Sequence, residues 1–211
     1  MSGLFVTFEG GEGTGKSTQI ARLAERLRSG GRDPVITREP GGTPLAEGIR
    51  ALLLDPARGP GALAEAFLME AARAEVVAQV IRPALAQGKV VLCDRYADST
   101  LVYQGAGRGL DRTMLRHLNE VATGGLNPDL TLLLDLDHAA GLARRSRAPG
   151  EPNRLDQEPD AFHARVRAAY LELASAEPGR WVTLDAALAP EVLAERVAEA
   201  VEGRLRALAQ R

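Results

Sequence analysis

"EGGEGTGKST", residues 9–18, is the stretch that decides the fold. Gly10, four intervening residues, then Gly15-Lys16-Ser17 satisfy G-x-x-x-x-G-K-[ST] in full. An apolar run, "LFVTF" (4–8), precedes the motif and is short enough for a buried strand. An amphipathic pattern follows it: Ile20, Leu23, Ala24 and Leu27 recur at i, i+3, i+4 and i+7. Strand, glycine loop and helix together form a phosphate cradle. Glycines let the backbone curl so that successive N–H groups point inward. The helix N-terminus adds its dipole. Lys16 brings a point charge to the β- and γ-phosphates of a nucleoside triphosphate, and the Ser17 hydroxyl is a candidate Mg²⁺ ligand. The chain has two lysines, Lys16 and Lys89, among 26 basic residues. Arginine serves almost everywhere else, so position 16 calls for an ammonium.

Working outward, apolar runs alternate with helical patterns. "PVIT" (34–37), "VVLCD" (90–94), "LTLLLDL" (130–136) and "WVTLD" (181–185) read as further strands. Helical segments are expected over 44–54, 62–81 and 111–122, with Asp111 as an N-cap, and over the last twenty residues. Alternation of this kind gives right-handed βαβ units and a parallel sheet. The expected fold is α/β: a P-loop NTPase fold in one domain over 1–211, a five-stranded parallel sheet with helices on both faces. "RRSRAPGEPNR" (144–154) departs from this texture, with four arginines separated by Pro and Gly. It reads as an exposed, mobile lid at about 144–156.

Composition narrows the class. The chain has 211 residues, is 45% hydrophobic and carries a formal charge of -2, which argues against a general nucleic-acid coat. One cysteine, Cys93, forms no internal disulfide and suits a reducing compartment. The opening residues read as a first strand rather than a signal peptide, and no long uncharged apolar stretch spans a membrane. A cytoplasmic protein is expected, with neither nucleic acid nor membrane as a partner.

A phosphate loop alone leaves the reaction open. Lys89 sits in "QGKVVLCD", so the Asn-Lys-x-Asp element of a GTPase is absent. Ligands of open α/β sheets bind at the carboxyl ends of strands. Asp94 is therefore expected near Mg²⁺, and Arg95 near phosphates lying between donor and acceptor. Arg38 ends the second strand and Arg73 lies on the long helix. Several basic positions converging on one face imply a second anionic substrate.

The residues resemble the thymidylate kinase family over nearly the whole chain. The resemblance rests on "FEGGEGTGKSTQ", "TREPGGTPLAEGIR", "EAAR", "DRYADSTLVYQGAGRG" and "NPDLTLLLDLD", with an arginine-rich segment before "RLDQE" and "YLELA". It implies phosphorylation of dTMP to dTDP by Mg-ATP, with no general base, since the dTMP phosphate oxygen is already a nucleophile. By this resemblance Gly10, Gly11, Glu12, Gly13, Thr14, Gly15, Lys16, Ser17 and Thr18 hold ATP, with Arg144 assisting. Ser17 and Asp94 attend the metal. Glu12 also meets the acceptor 3'-hydroxyl, and Arg38 and Arg95 take the dTMP phosphate. Arg73, Thr100 and Gln104 contact the base, and Tyr103 crowds a ribose 2'-hydroxyl.

Two positions depart from the family pattern. Met69 stands where a phenylalanine usually stacks on thymine; a thioether packs on a base face through soft contacts. Phe67 lies about 200° around the helix from Met69 and is no substitute. Gly13 follows the loop acid where some thymidylate kinases carry an arginine. The missing charge is expected from the lid, from Arg147 or Arg154, with Arg144 and Arg145 in support. Family members are commonly homodimers, and the 62–81 helix is a candidate interface. Two other readings remain at this stage: a kinase for another nucleoside monophosphate, and a non-catalytic NTP-binding regulator.

Overall fold

Leu4–Glu9 (β1) is buried at all six residues, as a central strand covered on both faces must be. It lies in the middle of a five-stranded sheet with β2 (Val35–Arg38), β3 (Val90–Asp94), β4 (Leu130–Asp135) and β5 (Trp181–Asp185), in the order β2-β3-β1-β4-β5. Every pair is parallel. The computed structural model describes residues 3–147 and 153–210. Register sets the functional rim: Phe8 lies opposite Asp94, Arg38 lies opposite Asp94 from the other side, and Arg95 N donates to Phe8 O at 2.9 Å. Glu9, Arg38 and Asp94–Arg95 are thus delivered to one end of the sheet.

Period-two alternation in β1 separates two cores. Leu4, Val6 and Phe8 pack under α1 (Lys16–Ser29), joined by Leu193, Val197 and Val201 of the C-terminal helix Pro190–Ala209. Phe5 faces the opposite side with Val76, Ile81, Val91, Cys93 and Tyr96. Helices α2 (Pro44–Leu54), α3 (Ala62–Val76), α4 (Arg82–Ala86), α5 (Ala97–Thr100), α6 (Arg112–Thr123), α7 (His138–Arg147), α8 (Asp160–Ala176) and α9 (Pro190–Ala209) complete the chain.

Local chemistry fixes the ends. Gly15, at φ 90°, caps α1 with a left-handed turn that glycine adopts without strain. Thr43 Oγ1 accepts from Ala46 N at 3.2 Å, with Pro44 opening α2. Asp111 caps α6 as expected, accepting from Met114 N at 2.7 Å. The helix expected over 62–81 continues past Pro83 to Ala86. A π-type turn over Val77–Ile81 precedes the proline, widening the path where its ring would meet the carbonyl four residues back. A second π-type stretch, Leu101–Gly107, follows α5. Glycines at 105, 107 and 109 obscure its helical period in the sequence. The segment expected as a loop lid is helical up to Arg147 in α7, while 148–152 lie outside the described residues.

Candidate active site

The loop between β1 and α1 curls through three glycines of positive φ: Gly10 (135°), Gly13 (67°) and Gly15 (90°). Lys16 is buried beneath it and donates through Nζ to Gly10 O at 3.1 Å and Gly11 O at 2.9 Å. Burial, with Arg95 beside it, lowers the lysine pKa, opposed by Asp94, Glu12 and Glu9. Ser17 Oγ donates to Asp94 Oδ2 at 2.9 Å. A hydroxyl and a carboxylate so placed are hard oxygen donors suited to Mg²⁺, which takes few protein ligands and completes its shell with phosphate and water. Among the described residues no cluster of three or more His, Cys, Asp or Glu could hold a metal by itself.

Arg95 is the centre of the cleft. It is the one non-glycine among the described residues in the left-handed region, at φ 69°. That conformation costs roughly 1–2 kcal/mol, and side-chain contacts hold it. Nη1 donates to Gly10 O at 2.9 Å and to Tyr170 Oη at 3.0 Å, while Nη2 pairs with Glu12 Oε1 at 2.8 Å. The guanidinium sits 4.8 Å over the Tyr103 ring. Burial opposes ionisation of Glu12, but Arg95, Lys16 and the Tyr103 hydroxyl outweigh it and hold its pKa at about 2.

Two compartments meet at this Arg95–Glu12 pair. The polar one is lined by loop residues 12–18 together with Arg38, Asp94 and Arg145. The other is a largely apolar cavity bounded by Leu53, Met69, Tyr103, Gln104, Glu65 and Arg154. Glu12, Arg50 and Arg95 line both.

The expected residues separate into groups. Glu12, Met69, Arg95, Tyr103 and Gln104 border the cavity, whereas Phe67 is 53% exposed. Arg38 reaches the polar cleft but pairs at 2.8 Å with Glu47, which also accepts from Gly42 N. Arg73 and Thr100 are fully buried and do not line the cavity. Arg73 donates to Glu39 (2.8 Å), Glu70, Thr100 (2.9 Å), Asn119 (2.8 Å) and Tyr96 O (3.2 Å). Among the lid arginines, Arg145 borders the polar cleft and pairs with Asp156 at 3.0 Å. Arg144 donates to Ala186 O at 2.8 Å, and Arg147 is exposed and lines neither compartment. Arg154 turns into the apolar cavity, donating to Leu53 O (3.0 Å) and to Glu65. The lid-arginine expectation centred on Arg147 or Arg154; of the four arginines, Arg145 is the one that lines the polar cleft.

Several site residues escaped the sequence reading. Arg50 donates to Pro40 O at 2.9 Å and forms no ion pair among the described residues. Its signal was present, since it falls on the face of α2 shared by Ala46 and Leu53, both buried. Glu9 is buried against the other face of the sheet and accepts from Tyr96 N (2.8 Å), Ser99 Oγ (2.7 Å) and Tyr170 Oη (2.8 Å). Burial, reinforced by Asp98, pushes its pKa up to about 7, with Arg95, Ser99 and Tyr170 opposing.

Known proteins resemble this chain over nearly its whole length. The family model for thymidylate kinase matches residues 8–197. Thymidylate kinase of Deinococcus radiodurans is 53% identical over 202 residues, covering 96% of this chain and 98% of its own. That of Thermomicrobium roseum is 58% identical over 194 residues, covering 92% and 91%. The crystal structure of thymidylate kinase from Ehrlichia chaffeensis superposes with a TM-score of 0.77 at 33% identity, covering 95% of this chain and 99% of that one.

Proposed function

This chain belongs to the thymidylate kinase family, and from that premise we propose how its residues divide the work. The activity is phosphorylation of dTMP in nucleotide biosynthesis. The observation that carries the division is the meeting of a phosphate cradle and a largely apolar cavity at the Arg95–Glu12 pair. ATP is the donor: its phosphates lie along the loop Gly10–Thr18, with Lys16 leaving the loop carbonyls to meet them, and its base side lies toward Arg144. The cavity takes the acceptor, its base on Met69 with Tyr103 and Gln104 at the edges. Arg95 and Arg38, joined by Arg50, take the acceptor phosphate, and Glu12 meets the sugar 3'-hydroxyl. Arg73 and Thr100 support the base side from behind the cavity wall.

Transfer is direct and in line. The acceptor phosphate oxygen is anionic at neutral pH, so no side chain has to remove a proton. Lys16, Arg95 and Arg145 neutralise charge on the transferring group, which is where such enzymes gain most of their rate. Ser17 and Asp94 hold Mg²⁺, which supplies further charge neutralisation when bound. The lid excludes water and limits hydrolysis.

The working unit is a homodimer. Leu45 and Leu52 of α2 and Leu63 and Phe67 of α3 are 43–59% exposed, an apolar surface suited to a second copy. No helix among the described residues is long and apolar enough to cross a membrane, and we place the enzyme in the cytoplasm.

Steady-state rates with ATP and dTMP, dUMP, dCMP, dGMP or UMP test the assignment. The expected result is highest kcat/KM with dTMP. Preference for another acceptor, or ATP binding without turnover of any, overturns it. Light scattering tests assembly, with a monomer mass counting against the dimer.

A further inference from the structure

Gln104 has a buried polar atom that the fold leaves unused. Its Nε2 donates to Glu65 Oε1 at 2.7 Å, while its Oε1 is buried with no hydrogen-bond partner among the described residues. Buried acceptors without partners are costly and uncommon, and they point to a ligand when the residue borders a cavity. Gln104 does border it.

Glu65 decides which way the amide faces. Its side chain is 2% exposed and meets Arg154 and Arg108 Nη2, the latter at 3.3 Å. Burial works against its charge, but the Gln104 amide, Arg154 and Arg108 outweigh it, and its pKa lies below the usual carboxylate range. An ionised carboxylate only accepts hydrogen bonds. Turning the Gln104 amide over would set its carbonyl oxygen against a Glu65 oxygen. The NH₂ is therefore tied to Glu65, and the carbonyl is left for a donor on the ligand.

We propose that Glu65 is a specificity-determining positioning residue: by holding Gln104 with its carbonyl free, it makes the cavity select a base with a ring N–H and reject one with a lone pair there. Thymine and uracil carry N–H at N3; cytosine carries an acceptor. The inference rests on the assignment of the cavity to dTMP. Arg154 reaches Glu65 from beyond α7, so the chain after the lid helps keep the lock charged.

The test compares kcat/KM for dTMP and dCMP in wild type, Glu65→Gln, Gln104→Met and the double variant. A neutral amide at 65 both donates and accepts, so Gln104 gains the freedom to flip. Glu65→Gln is expected to raise KM for dTMP and to shrink the dTMP-over-dCMP preference by about tenfold or more. In the Gln104→Met background the change at 65 should leave that preference where Gln104→Met set it. An equal loss for both acceptors in Glu65→Gln marks general damage and overturns the lock. If Glu65→Gln does not fold, Gln104→Met decides, because a preference that survives loss of the carbonyl overturns the proposal. Wild type that turns over dTMP beside an unchanged preference in the variants refutes the lock alone; wild type inactive on dTMP refutes the assignment beneath it.

Discussion

Gly13 of the phosphate loop and Gly141 of α7 meet backbone to backbone. A Cβ on Gly13 would lie 1.9 Å from Gly141 O, and one on Gly141 would lie 2.4 Å from Glu12 O. The lid helix therefore rests on the loop itself, and the position after the loop acid has no room for a side chain. Gly13→Arg, which would imitate relatives carrying arginine there, should lower kcat rather than raise it. The residue would meet both the α7 backbone and a left-handed φ of 67°, the latter alone costing on the order of 1–2 kcal/mol. Thermal melting and steady-state kinetics check this. A variant as stable and as fast as wild type would show that α7 yields freely.

Arg145 should matter most among the lid arginines. It borders the polar cleft, held there by Asp156, whereas Arg154 turns into the apolar cavity and Arg147 lines neither compartment. An arginine stabilising phosphoryl transfer contributes roughly 10³–10⁵ in rate. Part of that charge is supplied here by Arg95, so Arg145→Ala should cut kcat by about 10²-fold or more with little change in KM for dTMP. Single-turnover rates of the four alanine variants rank them directly. Greater loss in Arg147→Ala than in Arg145→Ala would reverse the assignment.

What could be read from the sequence was what is local. The phosphate loop, Thr43-Pro44 and Asp111 each announce backbone geometry within a few residues, and all five apolar runs fall on the five strands, to within a residue at either end. The partners of charged side chains are another matter. Glu9 meets Tyr170 across 161 positions, and Arg154 meets Glu65 across 89. Nothing in the spacing of "RRSRAPGEPNR" indicates that α7 extends to Arg147 and turns the arginines in different directions. The π-type stretch Leu101–Gly107 was hidden for a related reason: its register differs from the 3.6-residue period used to find helices.

Glu9 should make both stability and rate sensitive to pH near neutrality. Its folded pKa is raised to about 7 from 4.5, so the folded protein holds this proton more tightly than the unfolded chain does. The stabilisation is complete below about pH 4.5 and is lost as pH rises through about 7. Glu9→Gln removes the titration. The melting temperature of wild type relative to Glu9→Gln should therefore fall between about pH 5 and 8. Ionised Glu9 accepts from both Ser99 and Tyr170, which turns the Tyr170 hydroxyl away from Arg95 and leaves its oxygen to accept from Nη1. An inflection in kcat/KM near pH 7, absent in Glu9→Gln, is the corresponding kinetic result. Parallel pH profiles for the two proteins would disprove the coupling.

Arg73 should carry more stability than any exposed arginine. It is fully buried and lies between Glu39 and Glu70, so Arg73→Met leaves two buried carboxyls without their cation. Breaking such a network costs roughly 3–5 kcal/mol. For a chain of this size each kcal/mol shifts Tm by about 2–4 °C, giving a fall on the order of 10 °C. The loss should depend on pH. Burial already raises the Glu39 pKa to about 7 against the opposing pull of Arg73. Without that arginine the carboxyl takes up a proton more readily, and acid relieves the uncompensated charge. The difference in Tm between wild type and Arg73→Met should therefore be smaller at pH 5.5 than at pH 8. Glu39→Gln added to Arg73→Met should recover part of the loss at pH 8 and less at pH 5.5. A pH-independent difference, or no recovery in the double variant, would mean that packing rather than charge is what Arg73 supplies.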